Sequence, residues 1–244
     1  MKKVALLLPS YNEAKILPWS VENLEKYAEA SLSAYAWRVV VVDNGSTDET
    51  STVVSNLQKK YANLDYYHLP IKGRGNALRQ AWQNLDFEIA LYMDVDLAVA
   101  LEAVKLIIEA IAEKQADIAI GSRYAKNAKV ERSIGRSITS VGYNLLTKLI
   151  INLKATDAQC GFKAIKKDVA LKLLPLIKDN NWFFDTELLS FAEHLKYKVF
   201  EVPVAWVETR PIFRKSKVKV FNTAVNYVLS LISLRWRLLT GKLL

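Results

Sequence analysis

Asp94 and Asp96 close a short apolar run, Phe87-Glu88-Ile89-Ala90-Leu91-Tyr92-Met93, with one residue between them. Two carboxylates placed where a buried strand gives way to a loop can meet a hard divalent cation, and that cation can grip a diphosphate. The same pair can also do no more than solvate a strand end, so the reading depends on its surroundings. Polar clusters at Pro9-Ser10-Tyr11-Asn12-Glu13 and Asp43-Asn44-Gly45-Ser46-Thr47-Asp48 also follow apolar runs. Gly73 and Gly75, beside Lys72, Arg74 and Arg79, could let backbone amides at a helix start approach a phosphate. A short Gly-x-Gly is equally what many strand–helix turns look like.

The elements that must position these residues alternate. Apolar runs at 3–8, 37–42, 64–69, 89–93 and 117–120 read as buried strands, with helical patterns at 14–33, 47–61, 75–85 and 101–114 between them. Ser46 and Glu49 have capping-box spacing, which predicts a helix start there. Such alternation implies crossover connections and a mainly parallel sheet covered by helices on both faces, an α/β fold. Ligands of such sheets bind at the carboxyl ends of the strands, where all three polar clusters fall.

The second half is less regular. Ile138, Val141, Leu145, Leu149 and Asn152 give 133–153 a helical pattern, and a loop over 157–163 follows. Then come a short strand, helices from about Asp168 and Asp185, and a strand near 199–204. In the tail, 218–244, Asn222, Asn226, Ser230 and Ser233 draw one polar stripe along an otherwise apolar helix. Lys215, Lys217 and Lys219 precede it, and Arg235, Arg237 and Lys242 follow. Such a helix can lie in a membrane interface, or it can close the core or make a dimer.

Composition narrows the partners. The net charge of +9 calls for an anionic one, and the excess is local: Arg123, Lys126, Lys129, Arg132 and Arg136 against Glu131, and Arg210, Arg214, Lys215, Lys217 and Lys219 with no acid. One cysteine, Cys160, excludes an intrachain disulfide, and two distant histidines make a zinc site an unsuitable reading. No basic–aromatic platform suggests nucleic acid. The apolar run after Lys2-Lys3 stops at Pro9, too short for a secretory signal. No stretch reaches the roughly 20 apolar residues that span a bilayer. The expectation is a protein on the cytoplasmic side, peripherally bound to membrane.

Together the motifs resemble family 2 glycosyltransferases of the GT-A fold, whose donors are nucleotide sugars. Pro9-Ser10-Tyr11-Asn12-Glu13, Val42-Asp43-Asn44-Gly45-Ser46-Thr47-Asp48, Gly73-Arg74-Gly75-Asn76-Ala77-Leu78 and Asp94-Val95-Asp96 have that order and spacing. Gly121-Ser122-Arg123-Tyr124, Asp157 to Lys163, Phe184-Asp185-Thr186-Glu187-Leu188 and Ser216-Lys217 are similar to the branch that glycosylates polyprenyl phosphates, where the dolichyl-phosphate glucose and mannose synthases belong. The resemblance implies one domain over 1–244, with a nucleotide-sugar half at 1–122, an acceptor half at 123–216 and amphipathic membrane-interface helices at 217–244.

It also implies roles. Pro9, Tyr11, Glu13, Asp43, Gly73, Arg74 and Asp94 would surround the nucleotide sugar. Asp94 and Asp96 would take Mg²⁺ or Mn²⁺. The family has a second acid where Asn44 stands, so Asp43 alone is carried over. Mannose synthases often have a Gln two residues past the second acid; Ala98 occupies that place and tilts the reading toward glucose, with the donor, UDP-glucose or GDP-mannose, left open. Arg123, with a catalytic role, Arg136, Ser140 and Lys217 are the candidates for gripping the acceptor phosphate, Arg136 and Ser140 sharing a helix face. Gln159, Asp185 and Glu187 could orient sugar or acceptor; Asp185 could instead simply cap a helix, and Glu187 could orient a basic neighbour.

The expected reaction is inverting transfer of glucose or mannose to a polyprenyl phosphate at the cytoplasmic membrane face. One alternative is a hydroxyl acceptor, for which Glu187 or Asp185 would serve as base. Another is a non-catalytic basic membrane-binding module. Whether the tail anchors alone or docks on an integral membrane partner is left open.

Overall fold

The computed structural model describes residues 1–113, 116–131, 134–207 and 220–241, the side chains of 134–138 and 220–225 excepted. Its centre is one seven-stranded sheet. Strands β1 (Lys3–Ser10), β2 (Ala36–Asn44), β3 (Leu64–Leu69), β4 (Ile89–Met93), β5 (Ile118–Ser122), β7 (Phe162–Lys166) and β8 (Val199–Pro203) lie in the order β3-β2-β1-β4-β7-β5-β8. All neighbours are parallel except β7, which runs antiparallel to both β4 and β5. The second half thus threads into the first half's sheet, and the two halves share one core.

Period-2 alternation sorts that core onto two faces. Val4, Leu6, Leu8, Val39 and Val41 point to one side, with helices α1 (Leu17–Ser31), α2 (Thr50–Gln58) and α4 (Glu102–Ala112). Ala5, Leu7, Val40 and Val42 point to the other, with α3 (Arg74–Asn84), α6 (Lys167–Leu173) and α7 (Phe184–His194). Burial on both faces is why these strands read as continuous apolar runs.

Two helices complete the second layer: α5 (Ile134–Ile151) and α8 (Val220–Thr240). Tyr143 of α5 meets Tyr227 of α8 edge to face at 5.2 Å, and an Arg235 guanidinium N–H donates to the Ile150 carbonyl. No helix among the described residues is long and apolar enough to cross a membrane.

Three features differ from expectation. The capping box does not form: α2 starts at Thr50, the Ser46 hydroxyl accepts from Asn12 N–H (2.9 Å), and Asp48 accepts from Thr50 N–H (3.0 Å). The Ser46 side chain is drawn off the helix because it ties two rim loops together. A small parallel pair, β6 (Lys129–Glu131) with β9 (Ala205–Val207), was not foreseen, being only three residues long on each side. Arg237, one of the basic residues expected to bracket the tail's stripe, is instead buried and bonds to Glu187 and the Leu176 carbonyl.

Candidate active site

The carboxyl ends of β1, β2 and β4 form one rim, with Ser10 paired in register to Asp43 and Asp94 leaving β4 beside them. The β1 and β2 loops are laced by side chains. Thr47 N–H donates to Asn12 Oδ1 (2.7 Å), Glu13 N–H to Thr50 Oγ1 (3.1 Å) and Ala14 N–H to Asp48 Oδ2 (3.3 Å). Asn12 sits at φ +56°, a left-handed conformation that Asn tolerates better than most residues. The Lys72 ammonium lies 3.9 Å from the Tyr11 ring centroid, so two loops expected around the donor touch.

Asp43 is only 1% exposed. Its Oδ1 accepts from Ser46 N–H (2.9 Å) and its Oδ2 from the Tyr66 hydroxyl (2.6 Å), with His68 Nδ1 at 3.2 Å. Burial would raise its pKa, but the bonds from Ser46, Tyr66 and His68 outweigh burial and hold it below the ordinary value. Asn44, passed over in the sequence for lacking charge, is a bridge. It donates to the Ser10 carbonyl (2.6 Å) and accepts from Gly73 N–H (3.1 Å). Aspartate could do the second but not the first.

Beneath the rim lies a cluster of buried charges. Arg74 donates from Nη1 to Asp185 Oδ2 (2.6 Å) and reaches Asp94 Oδ1 from Nη2 (3.4 Å). Asp185 Oδ1 also accepts from the Tyr92 hydroxyl and from Lys163 Nζ (3.0 Å), and Lys163 donates again to the Cys160 carbonyl (2.6 Å). Burial works to raise the Asp185 pKa, but Lys163 and Arg74 hold it below the usual carboxylate range. Burial likewise opposes the charge on Arg74, and Asp185 and Asp94 prevail and raise its pKa. Arg74 is capped by aromatic faces, with Tyr92 and Trp182 both 5.3 Å from its Cζ.

Asp94 lines a cleft with Met93, Leu97, Ala98, Val99, Gly161 and Trp206. A Cβ on Gly161 would overlap the Asp94 carboxylate and displace it. Asp96 is 6% exposed and accepts from Ala98 N–H (3.3 Å). Among the described residues no group of three or more His, Cys, Asp or Glu side chains could hold a metal. That donor set suits Mg²⁺ or Mn²⁺ arriving with a diphosphate: Mg²⁺ commonly takes one or two carboxylates and completes its shell with phosphate oxygens and water.

Arg123 lies 5.8 Å over the ring of Trp206, which lines that cleft, and forks onto Asp157, Nε to Oδ2 at 2.7 Å and Nη2 to Oδ1 at 2.8 Å. Burial disfavours the Arg123 charge and Asp157 more than restores it, raising its pKa. Ser140 accepts from the Tyr124 hydroxyl (2.7 Å). The Gln159 side chain hydrogen-bonds the Tyr227 hydroxyl, whose pKa burial, with Asp179 and Asp185, pushes up to about 12. Lys217, Arg132, Arg210, Arg214 and Lys215 lie outside the described residues, as does the Arg136 side chain.

Of the roles open to Glu187, the structure shows the basic neighbour: it is 3% exposed, Oε2 accepts from Lys178 and Asp179 N–H (2.8 and 2.7 Å), and Oε1 takes the Arg237 guanidinium. Arg79, near the glycine pair in sequence, turns to the protein. It donates to the carbonyls of Leu174 (2.8 Å) and Ile177 (2.7 Å) and to Asn180 Oδ1 (3.3 Å).

The sequence assigned no role to Tyr92, Asp157, Lys163, Trp182 or Trp206, although Asp157 and Lys163 bound one of the quoted motifs. Lys163 carried a signal: a lysine inside the apolar run of β7, fully buried, needs a carboxylate partner. Asp157 is fully buried too, but its loop gave no periodicity to reveal it.

The profile of the family described as "Glycosyl transferase family 2" matches residues 5–174. Glycosyltransferase AglD of Haloferax volcanii is 33% identical over 205 residues, covering 84% of this chain; the chain spans only 33% of that relative's length. Human dolichyl-phosphate beta-glucosyltransferase is 29% identical over 253 residues, 98% of this chain and 77% of the relative. Among solved structures, glucosyl-3-phosphoglycerate synthase from Mycobacterium tuberculosis in complex with UDP superposes with a TM-score of 0.68 at 16% identity, covering 97% of this chain and 80% of that one. The mannosyltransferase PcManGT from Pyrobaculum calidifontis, in complex with GDP-Man and Mn²⁺, gives a TM-score of 0.58 at 17% identity, over 94% and 61%. At such identity the structures establish the glycosyltransferase fold, mainly parallel and flanked by helices.

Proposed function

The chain belongs to glycosyl transferase family 2, and on that footing we propose that it moves a hexose from a nucleotide-diphosphate sugar to a polyprenyl phosphate, with inversion, at the cytoplasmic face of a membrane. The carrying observation is the shared cleft: Asp94 and Trp206 line it, and Arg123 lies over Trp206. The donor diphosphate belongs on the Asp94–Asp96 side and the acceptor phosphate on the Arg123 side. The kinship with dolichyl-phosphate beta-glucosyltransferases, together with Ala98, favours UDP-glucose over GDP-mannose.

The chain's own residues position and screen. Asp94 and Asp96 would hold Mg²⁺ or Mn²⁺, which supplies positive charge against the departing diphosphate. Arg74 fixes the Asp94 carboxylate from below, with Asp185 and Lys163 keeping the guanidinium in place. Arg123, locked in plane by Asp157, offers its remaining N–H face, and Arg136, Ser140 and Lys217 are the further acceptor contacts. Pro9, Tyr11, Glu13, Asp43 and Gly73 frame the nucleoside and its phosphates, and Gln159 stands near the sugar. An acceptor phosphate monoester, with a second pKa of about 6, is largely dianionic at neutral pH. It needs no general base, in keeping with Glu187 and Asp185 both being engaged by cations.

The membrane enters through α5 and α8. Val141, Leu145 and Leu149 on one and Leu229, Ile232, Trp236 and Leu239 on the other are large, apolar and exposed, and neither helix contains a carboxylate. Such a surface suits an anionic bilayer interface.

A thermal-shift screen with UDP, GDP and their sugars, with and without Mn²⁺, tests the donor half of this reading. Metal-dependent stabilisation by UDP or UDP-glucose is expected, about 2.7 kcal/mol at a hundredfold excess over Kd. No shift with any nucleotide, from folded protein, would count against it.

A further inference from the structure

Residues 174–182 carry no assigned role, yet three charged side chains from three helices converge on them, Glu187 and Arg237 buried and Arg79 half-buried. Arg79 of α3 holds Leu174, Ile177 and Asn180; Glu187 of α7 holds the amides of Lys178 and Asp179; Arg237 of α8 holds the Leu176 carbonyl and the Glu187 carboxylate. Asp179 stiffens the segment from within, accepting from Asn181 N–H (2.7 Å) and Phe184 N–H (3.2 Å).

What this segment touches is the donor loop. The Asn180 carbonyl accepts from Asn76 N–H (3.0 Å). A Cβ on Gly73 would stand 2.7 Å from the Asn180 oxygen, and one on Gly75 2.8 Å from the Asn180 carbonyl carbon. Trp182 covers Arg74, whose guanidinium reaches Asp94. The glycine pair is therefore shaped to lie against this segment.

We propose that Glu187 and Arg237 are positioning residues for the donor diphosphate: through residues 174–182 they set the place of the Gly73–Asn76 loop and of Arg74, so that the C-terminal helix acts on donor binding as well as at the membrane. The inference rests on the donor site proposed above. A glutamate at this position acts here through backbone geometry, not by taking a proton. Because the pair is buried and its partners are shared, the two residues behave as one unit.

The test is UDP binding by calorimetry in lipid-free buffer with Mn²⁺, on the full chain and on Glu187→Gln, Arg237→Gln and the double variant. Each single variant is expected to weaken UDP about tenfold, within the range of coupling through packed networks, and the double variant no further than either single one. Donor KM should rise more than kcat falls. Arg237→Lys, which keeps the charge and a donor, should recover part of the loss and covers the case in which Arg237→Gln fails to fold. UDP affinity within twofold of the parent in folded variants overturns the proposal, as does a loss confined to kcat. If the parent chain itself binds neither UDP nor GDP, the donor-site reading fails, a result separate from unchanged affinity in the variants.

Discussion

The rim around Asp94 and the outer face of α5 and α8 handle burial in opposite ways. On the rim, charge is withdrawn from water and answered: Asp43 at 1% and Asp185 at 3% exposure are surrounded by donors, and Lys163 at 0% lies against Asp185. On the helical face, apolar surface is left in water, with Leu149 at 69% and Leu239 at 71% exposure. The first arrangement holds its geometry before any ligand arrives, because a buried ion pair tolerates little displacement. The second is left uncovered by the described residues.

If that contrast is right, breaking a rim pair should cost fold stability, whereas altering the helical face should not. Asp157→Ala strips the partner from buried Arg123 and is expected to lower stability by about 3–5 kcal/mol, read as a fall in urea midpoint. Replacing Trp236 and Leu239 by Ser should leave that midpoint nearly unchanged and weaken binding to anionic vesicles by about 2–4 kcal/mol, measured by sedimentation. An equal effect of both changes on unfolding would erase the distinction.

Glu25 sharpens the comparison from the rim's far side. It is 6% exposed on α1, its Oε1 has no hydrogen-bond partner, and burial, with Glu29 adding repulsion, raises its pKa to about 7. An acid whose folded pKa is raised binds its proton more tightly when folded, so stability falls as pH rises from about 4.5 through 7. Glu25→Gln should therefore stabilise the protein by about 1–3 kcal/mol at pH 8 and by less at pH 5, in paired thermal melts. Asp185 has the opposite sign: its depressed pKa contributes stability present above about pH 4 and lost as pH falls further.

Much of this was legible because the first half obeys simple periodicities. Continuous apolar runs marked β1 to β5, and polar residues immediately after them marked the rim. Asn44 was misjudged because its worth lies in donating as well as accepting, which only its two partners reveal. Glu187 stayed open between sugar and a basic neighbour because a charged residue in a motif does not announce whether its partner is substrate or protein. The antiparallel insertion of β7 was hidden for a similar reason: a five-residue strand has no sequence mark of its direction. Arg237 looked like one of the basic residues bracketing the tail's stripe, since its partners at Leu176 and Glu187 are distant in the chain.

In the proposed reaction the nucleophile is a phosphate already carrying its charge, positioned by guanidinium groups and not activated by a side-chain base. The decisive experiment offers the purified chain UDP-glucose and Mn²⁺ with either a polyprenyl phosphate or the polyprenol of the same length. A glucosylated lipid is expected from the phosphate and none from the alcohol. Transfer to the alcohol, with the phosphate untouched, would contradict that reaction.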